Sequence, residues 1–127
     1  MNRSNLEGRQ ILADLGFTEA WIGLGLLTGD VVGALEVECG MLDEPNPHHY
    51  RWKVFMRHVH GLTTVGEKHA ADLYDLAHSE PEPALSSAMV GALIRRPDCP
   101  RSILELAATL PTPHLAQSAQ DRLLRMP

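Results

Sequence analysis

Apolar residues recur at helical spacing along almost the whole chain, and the strict alternation of a half-buried strand is nearly absent. Trp52, Phe55, Met56 and Val59, for example, stand at positions i, i+3, i+4 and i+7, which share one face of a helix. The pattern predicts about eight short helices joined by connections of a few residues, as between antiparallel neighbours. The sequence therefore predicts an all-α protein.

Start and stop signals divide this pattern into segments. Thr18 is predicted to cap an apolar helix that ends near Gly29, and Asp30 to cap the next helix. Asn46, followed by proline at the first helical position, is a strong start signal. Residues 64–67, Thr-Val-Gly-Glu, have the form of a capping box. The last three helices are predicted to open at Glu82-Pro83, Pro100 and Thr112-Pro113.

A repeat with a constant offset of 30 residues marks the second half of the chain. Its matched positions are apolar residues and helix breakers, which a repeated helix pair should preserve. The matches are Leu73-Tyr74-Asp75-Leu76-Ala77 with Ile103-Leu104-Glu105-Leu106-Ala107, Pro81-x-Pro83 with Pro111-x-Pro113, Leu85 with Leu115, Leu93-Ile94-Arg95 with Leu123-Leu124-Arg125, and Pro97 with Pro127. The repeat predicts two units, residues 67–97 and 98–127, after a less regular stretch at 43–66.

This half of the chain resembles the HEAT-like repeats, and more closely their leucine-rich repeat variant. The resemblance covers about residues 67–127 and is carried by residues 93–100, Leu-Ile-Arg-Arg-Pro-Asp-Cys-Pro, and 103–108, Ile-Leu-Glu-Leu-Ala-Ala. It implies a right-handed α-solenoid of about four stacked antiparallel helix pairs. Such families typically act as binding scaffolds, so the resemblance also implies a binding function.

Length and composition fit one soluble domain, residues 1–127. The chain is 44% hydrophobic and 21% charged, which is ordinary for a globular protein. Two cysteines, Cys39 and Cys99, do not form the dense pattern of a small secreted domain. The polar first ten residues lack the apolar core of a signal peptide, and the most apolar stretch, residues 20–29, is too short to span a bilayer. We therefore expect a cytoplasmic protein without a membrane association.

No motif in the sequence identifies an active site or a cofactor. The chain has seven histidines, but it contains no HExxH or paired Cys-x-x-Cys motif, and His58 and His60 are about 200° apart on a helix. Cys99 precedes a helix start, where a thiol can have a lowered pKa, although packing is the simpler role. We expect no metal and no cofactor.

Charge is distributed unevenly. Seven acidic residues and neither Lys nor Arg occur between Gln10 and Tyr50, whereas arginines cluster at residues 95–101 and 122–125. The acidic third would attract a basic protein and disfavours binding to a phosphate backbone there, so nucleic acid is not the expected partner. A solvated acidic face is the alternative interpretation.

These observations favour a non-catalytic protein-binding module, and specifically a small inhibitor or immunity-type protein that neutralises a basic partner. The residues predicted to contact that partner are Trp21, Asp30, Glu36, Glu38, Asp43, Glu44, Tyr50 and Trp52. Aromatic anchors and carboxylates are the side chains such a contact needs. Two alternatives stay open. One is a small enzyme or nucleic-acid-processing protein that uses His48, His49 or His58, and the other is a homo-oligomer, such as a dimer, held by the Trp21 helix.

Overall fold

A computed structural model describes residues 12–40 and 46–126. Within these ranges the chain forms seven helices and no strand. They are α1 (Glu19–Gly23), α2 (Gly29–Gly40), α3 (Pro47–Gly61), α4 (Glu67–Ser79), α5 (Pro83–Ile94), α6 (Arg101–Ala107) and α7 (Pro113–Arg125). A further helical turn occupies residues 12–14. The prediction of an all-α fold is confirmed.

The chain divides into two compact units between His58 and Val59. Both predicted repeat units lie in the second of them. The prediction that residues 1–127 form one domain stays a prediction.

Aromatic side chains form the core of the first unit. The rings of Phe17 and Trp21 meet edge to face with centroids 5.0 Å apart, and Trp21 meets Phe55 at 6.2 Å. Edge-to-face pairs of this kind contribute about 0.5–1.5 kcal/mol beyond the area that they bury. The buried apolar residues of this unit are Leu12, Leu15, Phe17, Trp21, Leu26, Leu35, Tyr50, Val54 and Phe55.

The predicted apolar helix from Thr18 to Gly29 is wrong, because the segment is broken in the middle. Helix α1 ends at Gly23, and Gly25 adopts a φ of +80°, which only glycine reaches without strain. Helix α2 then starts one residue before the predicted cap, Asp30. Thr28 occupies the capping position instead, since its hydroxyl accepts the N–H of Val31 at 3.4 Å.

Two helix pairs make up most of the second unit. Helix α4 packs against α5, and α6 packs against α7. The pairs also contact each other, α4 with α6 and α5 with α7. Equivalent helices of the two repeats therefore lie side by side, as expected for stacked helix pairs. A longer solenoid of four pairs and membership of the HEAT-like families stay predictions.

Equivalent positions in the two repeats have mostly equivalent surroundings. Leu73 and its counterpart Ile103 are both buried, and Leu93 is buried where Leu123 is half-buried. Further pairs that are buried in both repeats are Tyr74 and Leu104, Ala77 and Ala107, Leu85 and Leu115, and Met89 and Ala119. The last predicted match, with Pro127, lies outside the described residues.

The two repeats differ on the face where a following pair would stack. Val90 and Gly91 are buried in α5, but their counterparts in α7, Gln120 and Asp121, are polar and exposed. The two helix pairs therefore differ in polarity at these equivalent positions.

Most predicted helix starts agree with the structure. The side chain of Asn46 accepts the N–H of His48 at 3.0 Å, and that of Glu82 accepts the N–H of Ala84 at 3.4 Å. The predicted capping box at residues 64–67 is wrong. Gly66 is the N-cap of α4, and the neighbouring Val65 N–H is bound by Asp98 at 2.9 Å. Among the described residues, no helix has both the length and the apolar character needed to cross a membrane.

Candidate functional site

Helix α2 is apolar in composition, yet it is poorly buried. Its twelve residues include four valines or leucines besides alanine and glycine, and three acids, but Leu35 is the one residue of α2 that is described as buried. Helical geometry places Gly33 and Val37 on the side opposite Leu35. Val37 is 65% exposed, and a Cβ built at Gly33 would have no atom of the packed structure within 4 Å. The outward face of α2, defined here as Asp30, Gly33, Ala34 and Val37, is therefore open in the described structure.

Helix α2 carries three carboxylates, at Asp30, Glu36 and Glu38. Asp30 is exposed and Glu36 is half-buried. Glu38 lies on the opposite side of the helix, where its carboxylate accepts a hydrogen bond from Nζ of Lys53 at 2.8 Å. The predicted contact residues Asp43 and Glu44 lie outside the described residues. Of these carboxylates, that of Asp30 belongs to the most exposed residue.

The predicted aromatic anchors differ in exposure. Trp21 and Tyr50 are each 3% exposed, so both side chains belong to the core and are not available to a partner. Trp52 is 45% exposed and its ring stacks on that of His49, with centroids 6.2 Å apart and 27° between the planes. Of the three aromatic anchors, the structure leaves Trp52 at the surface.

The histidines considered for catalysis make separate contacts. Nδ1 of His48 is 2.8 Å from the guanidinium of Arg51, whose other terminal nitrogen donates to the carbonyl of Leu15 at 2.8 Å. His49 contacts the rings of Tyr50 and Trp52. Within residues 12–40 and 46–126, no group of three or more His, Cys, Asp or Glu side chains is arranged to hold a metal ion.

The pKa values of the two thiols are raised. Burial raises the pKa of Cys99 to about 11, with a smaller opposing effect from Arg122, so the suggestion of a lowered pKa at this helix start is wrong. Burial also raises the pKa of Cys39, partly offset by a hydrogen bond with Tyr50. Both thiols stay protonated near neutral pH, which disfavours a nucleophilic role for either.

A narrow groove lies between α2 and α3. It is lined by Val31, Ala34, Leu35, Glu38, Lys53, Val54 and Arg57, and its volume is about 40 Å³. Small-molecule sites usually measure about 300–1,000 Å³. The groove is therefore too small for a typical small-molecule ligand.

The arginine cluster at residues 95–101 separates in the structure, whereas the cluster at 122–125 stays together. Arg96 turns inward, donating to the carbonyls of Val59 and Leu62 and to Asp98, and Arg101 pairs with Glu105 at 3.0 Å. Arg95, Arg122 and Arg125 instead line one cleft. Sequence reasoning missed this grouping, although the repeat offset that relates Arg95 to Arg125 is the signal that could have found it.

Comparison with known proteins adds no relative. No family model, no curated protein and no solved structure matches the chain.

Proposed function

We propose that this chain is a non-catalytic protein-binding module whose outward face of α2 contacts a partner with a basic and partly apolar surface. The observation that carries the proposal is the combination, on one open face of α2, of an exposed apolar side chain, Val37, with an exposed carboxylate, Asp30. Val37, at 65% exposure, supplies an apolar contact in its centre. Gly29 and Gly33 have open space beside them, which would let a partner's backbone approach closely.

The charge of the segment that contains α2 indicates the kind of partner that it would bind. The described residues from 12 to 40 include Asp14, Glu19, Asp30, Glu36 and Glu38 but neither Lys nor Arg. A surface with one sign of charge speeds association with an oppositely charged protein and repels others. An excess of carboxylates in this segment fits an inhibitor or immunity-type protein that covers a basic surface of its target, which is the specific form of this proposal.

The two other functions considered have weaker support. His48 and His49 contact Arg51 and Trp52, and neither contact gives them a catalytic partner. Trp21, at 3% exposure, has almost no surface to offer to a second copy of the chain.

The test uses the full chain as bait against a display library of protein fragments from its source organism. Each selected binder is then measured by biolayer interferometry against the wild type, Val37→Lys and Leu124→Lys. Leu124→Lys is the matched control, because Leu124 is an exposed leucine of α7 in the other unit, so the same change in polarity and charge occurs away from α2.

The proposal expects binders with a net positive surface whose Kd rises at least about tenfold in Val37→Lys, a loss of about 1.4 kcal/mol, and stays unchanged in Leu124→Lys. Their association rate should fall as salt is raised. Binders that are acidic, or that respond equally to both substitutions, would show that α2 is not the contact surface.

A further inference from the structure

A cleft in the second unit gathers three arginines. It lies where α5 and α7 end, has a volume of about 250 Å³, and is lined by Ile94, Arg95, Ser118, Asp121, Arg122 and Arg125. This volume is just below the usual range for drug-sized ligands, about 300–1,000 Å³, so the cleft suits a small group.

Arg122 forms the fixed wall of the cleft. Its Nη1 donates to the carbonyl of Ile94 at 2.7 Å and its Nη2 to the carbonyl of Pro97 at 3.2 Å. These carbonyls belong to the end of α5 and the turn after it, so Arg122 holds the two repeats together there. Its charge is permanent, because a guanidinium does not lose its proton in a protein.

Arg95 is positioned by the small residue beside it. A Cβ built at Gly91 would lie 3.3 Å from Nη1 of Arg95 and 3.5 Å from its Cζ. The guanidinium therefore lies along α5, in the space that a larger side chain at position 91 would need. Within the described residues, the guanidinium groups of Arg95 and Arg125 make neither a hydrogen bond nor an ion pair.

The balance of charge in the cleft is positive. Three guanidiniums face one carboxylate, that of Asp121, which also accepts a hydrogen bond from Gln117 at 2.9 Å. The C-terminal ends of α5 and α7 each add about half a negative elementary charge, which offsets part of this excess. Because Arg122 already occupies the carbonyls of Ile94 and Pro97, those oxygens are partly neutralised toward a bound anion.

We propose that this cleft binds a phosphate group, with the guanidiniums of Arg95 and Arg125 as its main ligands and Arg122 and the hydroxyl of Ser118 beside them. The planar fork of an arginine matches the oxygens of phosphate in a bidentate arrangement. A phosphate monoester also offers three acceptor oxygens to the two guanidiniums, whereas a carboxylate offers two.

The experiment is isothermal titration calorimetry of the full chain with inorganic phosphate, phenyl phosphate and acetate. The variants are Arg95→Gln and Arg125→Gln, both of exposed residues, which leave the carbonyl contacts of Arg122 intact. Arg101→Gln is the matched control, since Arg101 lies outside the cleft and pairs with Glu105 at the surface. Circular dichroism of each variant checks that its helices are kept.

The proposal expects saturable binding of phosphate, a Kd raised about tenfold by each cleft variant, as the loss of one charged hydrogen bond implies, and no change in Arg101→Gln. Tighter binding of phenyl phosphate would identify a phosphomonoester as the source of the group, and equal binding would identify free phosphate. The proposal is overturned if neither phosphate probe binds at millimolar concentration, if acetate binds as tightly, or if Arg101→Gln weakens binding equally. It is also overturned if a short oligothymidylate binds through Arg95 and Arg125 while phosphate does not.

Discussion

The carboxylate of Asp98 accepts hydrogen bonds from Nε of Arg96 at 2.8 Å and from Nη2 at 3.1 Å. The same carboxylate accepts the backbone N–H of Val65 at 2.9 Å, while Arg96 also donates to the carbonyls of Val59 and Leu62. One charged pair therefore binds the backbone at the end of α3 and the segment that leads into α4. Arg96, half-buried at the end of α5, is a structural residue of the second unit.

This pair predicts a dependence of stability on acid. The hydrogen bonds from Arg96, then that from Val65, lower the pKa of Asp98 from 3.8 to about 2. A carboxyl whose pKa is lower in the folded state stabilises that state above its unfolded pKa, and the contribution is lost as pH falls through the folded value. We expect the free energy of unfolding to decline between about pH 4 and pH 2, and Asp98→Asn to remove this contribution to the decline. Urea unfolding followed by circular dichroism measures the free energy of unfolding across that range. Parallel pH profiles for the wild type and Asp98→Asn would show that Asp98 does not cause the decline.

The turn at Gly16 gives a prediction for the first unit. Gly16 has a φ of +86°, and a Cβ there would lie 2.5 Å from Nη1 of Arg51. Arg51 is buried, and its Nη1 donates to the carbonyl of Leu15 at 2.8 Å, so moving it would disturb that bond. Gly16→Ala should therefore cost the strain of a left-handed residue, about 1–2 kcal/mol, plus about 1–3 kcal/mol of overpacking.

The matched control for this change is Gly25→Ala. Gly25 has a similar φ of +80° but open space around its Cβ position, so its substitution should cost the strain alone. Both tryptophans of the chain, Trp21 and Trp52, lie in the first unit, so tryptophan fluorescence during urea unfolding follows the relevant transition. Equal losses in the two variants would show that Arg51 gives way without cost.

The thiols predict a difference in chemical reactivity. Cys99 is 2% exposed and its pKa is raised to about 11, whereas Cys39 is half-buried. In the folded protein at pH 8, iodoacetamide should label Cys39 first, and Cys99 should react mainly after addition of urea. Mass spectrometry of the peptides that contain each cysteine measures both rates. Equal labelling of the two thiols under native conditions would mean that Cys99 is not in the core.

The burial of Cys99 also has a consequence at high pH. A group whose pKa is raised on folding stabilises the folded state below its unfolded pKa, and this contribution is lost as pH rises through the folded value. The pKa of Cys99 rises from 9.0 to about 11 on folding. Its contribution to the free energy of unfolding should therefore decline between about pH 9 and pH 11.

The second half of the fold was largely predictable from the sequence because its apolar positions, prolines and 30-residue offset all indicate the same helix pairs. Glu82-Pro83 and Thr112-Pro113, for instance, open α5 and α7 as predicted. The first half was harder. The break between α1 and α2 depends on the positive φ of Gly25. Glycine adopts positive and negative φ values about equally readily, so its presence in an apolar run does not predict where a helix ends.

The candidate site was predictable only in part. Tyr50 and Trp52 are two residues apart on α3 and so about 200° apart around the helix, which means that one core can take only one of them. The periodicity alone does not choose between the two, because the choice depends on which helices pack against α3. Asp30 and Glu36 of α2 were predicted as contact residues, but the exposure of Val37 was not, since an apolar side chain favours burial and only the packing shows that Val37 is left outside.

The second unit contains two similar helix pairs, and the pair α6–α7 covers the pair α4–α5. Substitutions at Leu76 and Leu106 test this arrangement most directly. The two leucines occupy equivalent positions in α4 and α6, but Leu76 is 3% exposed and Leu106 is 53% exposed. Since α4 packs against α6, we expect Leu76→Ala to lower the free energy of unfolding by about 2–5 kcal/mol, and Leu106→Ala to change it by no more than about 0.5 kcal/mol. Urea unfolding followed by circular dichroism measures both values side by side, and similar losses in the two variants would show that the second helix pair does not cover the first.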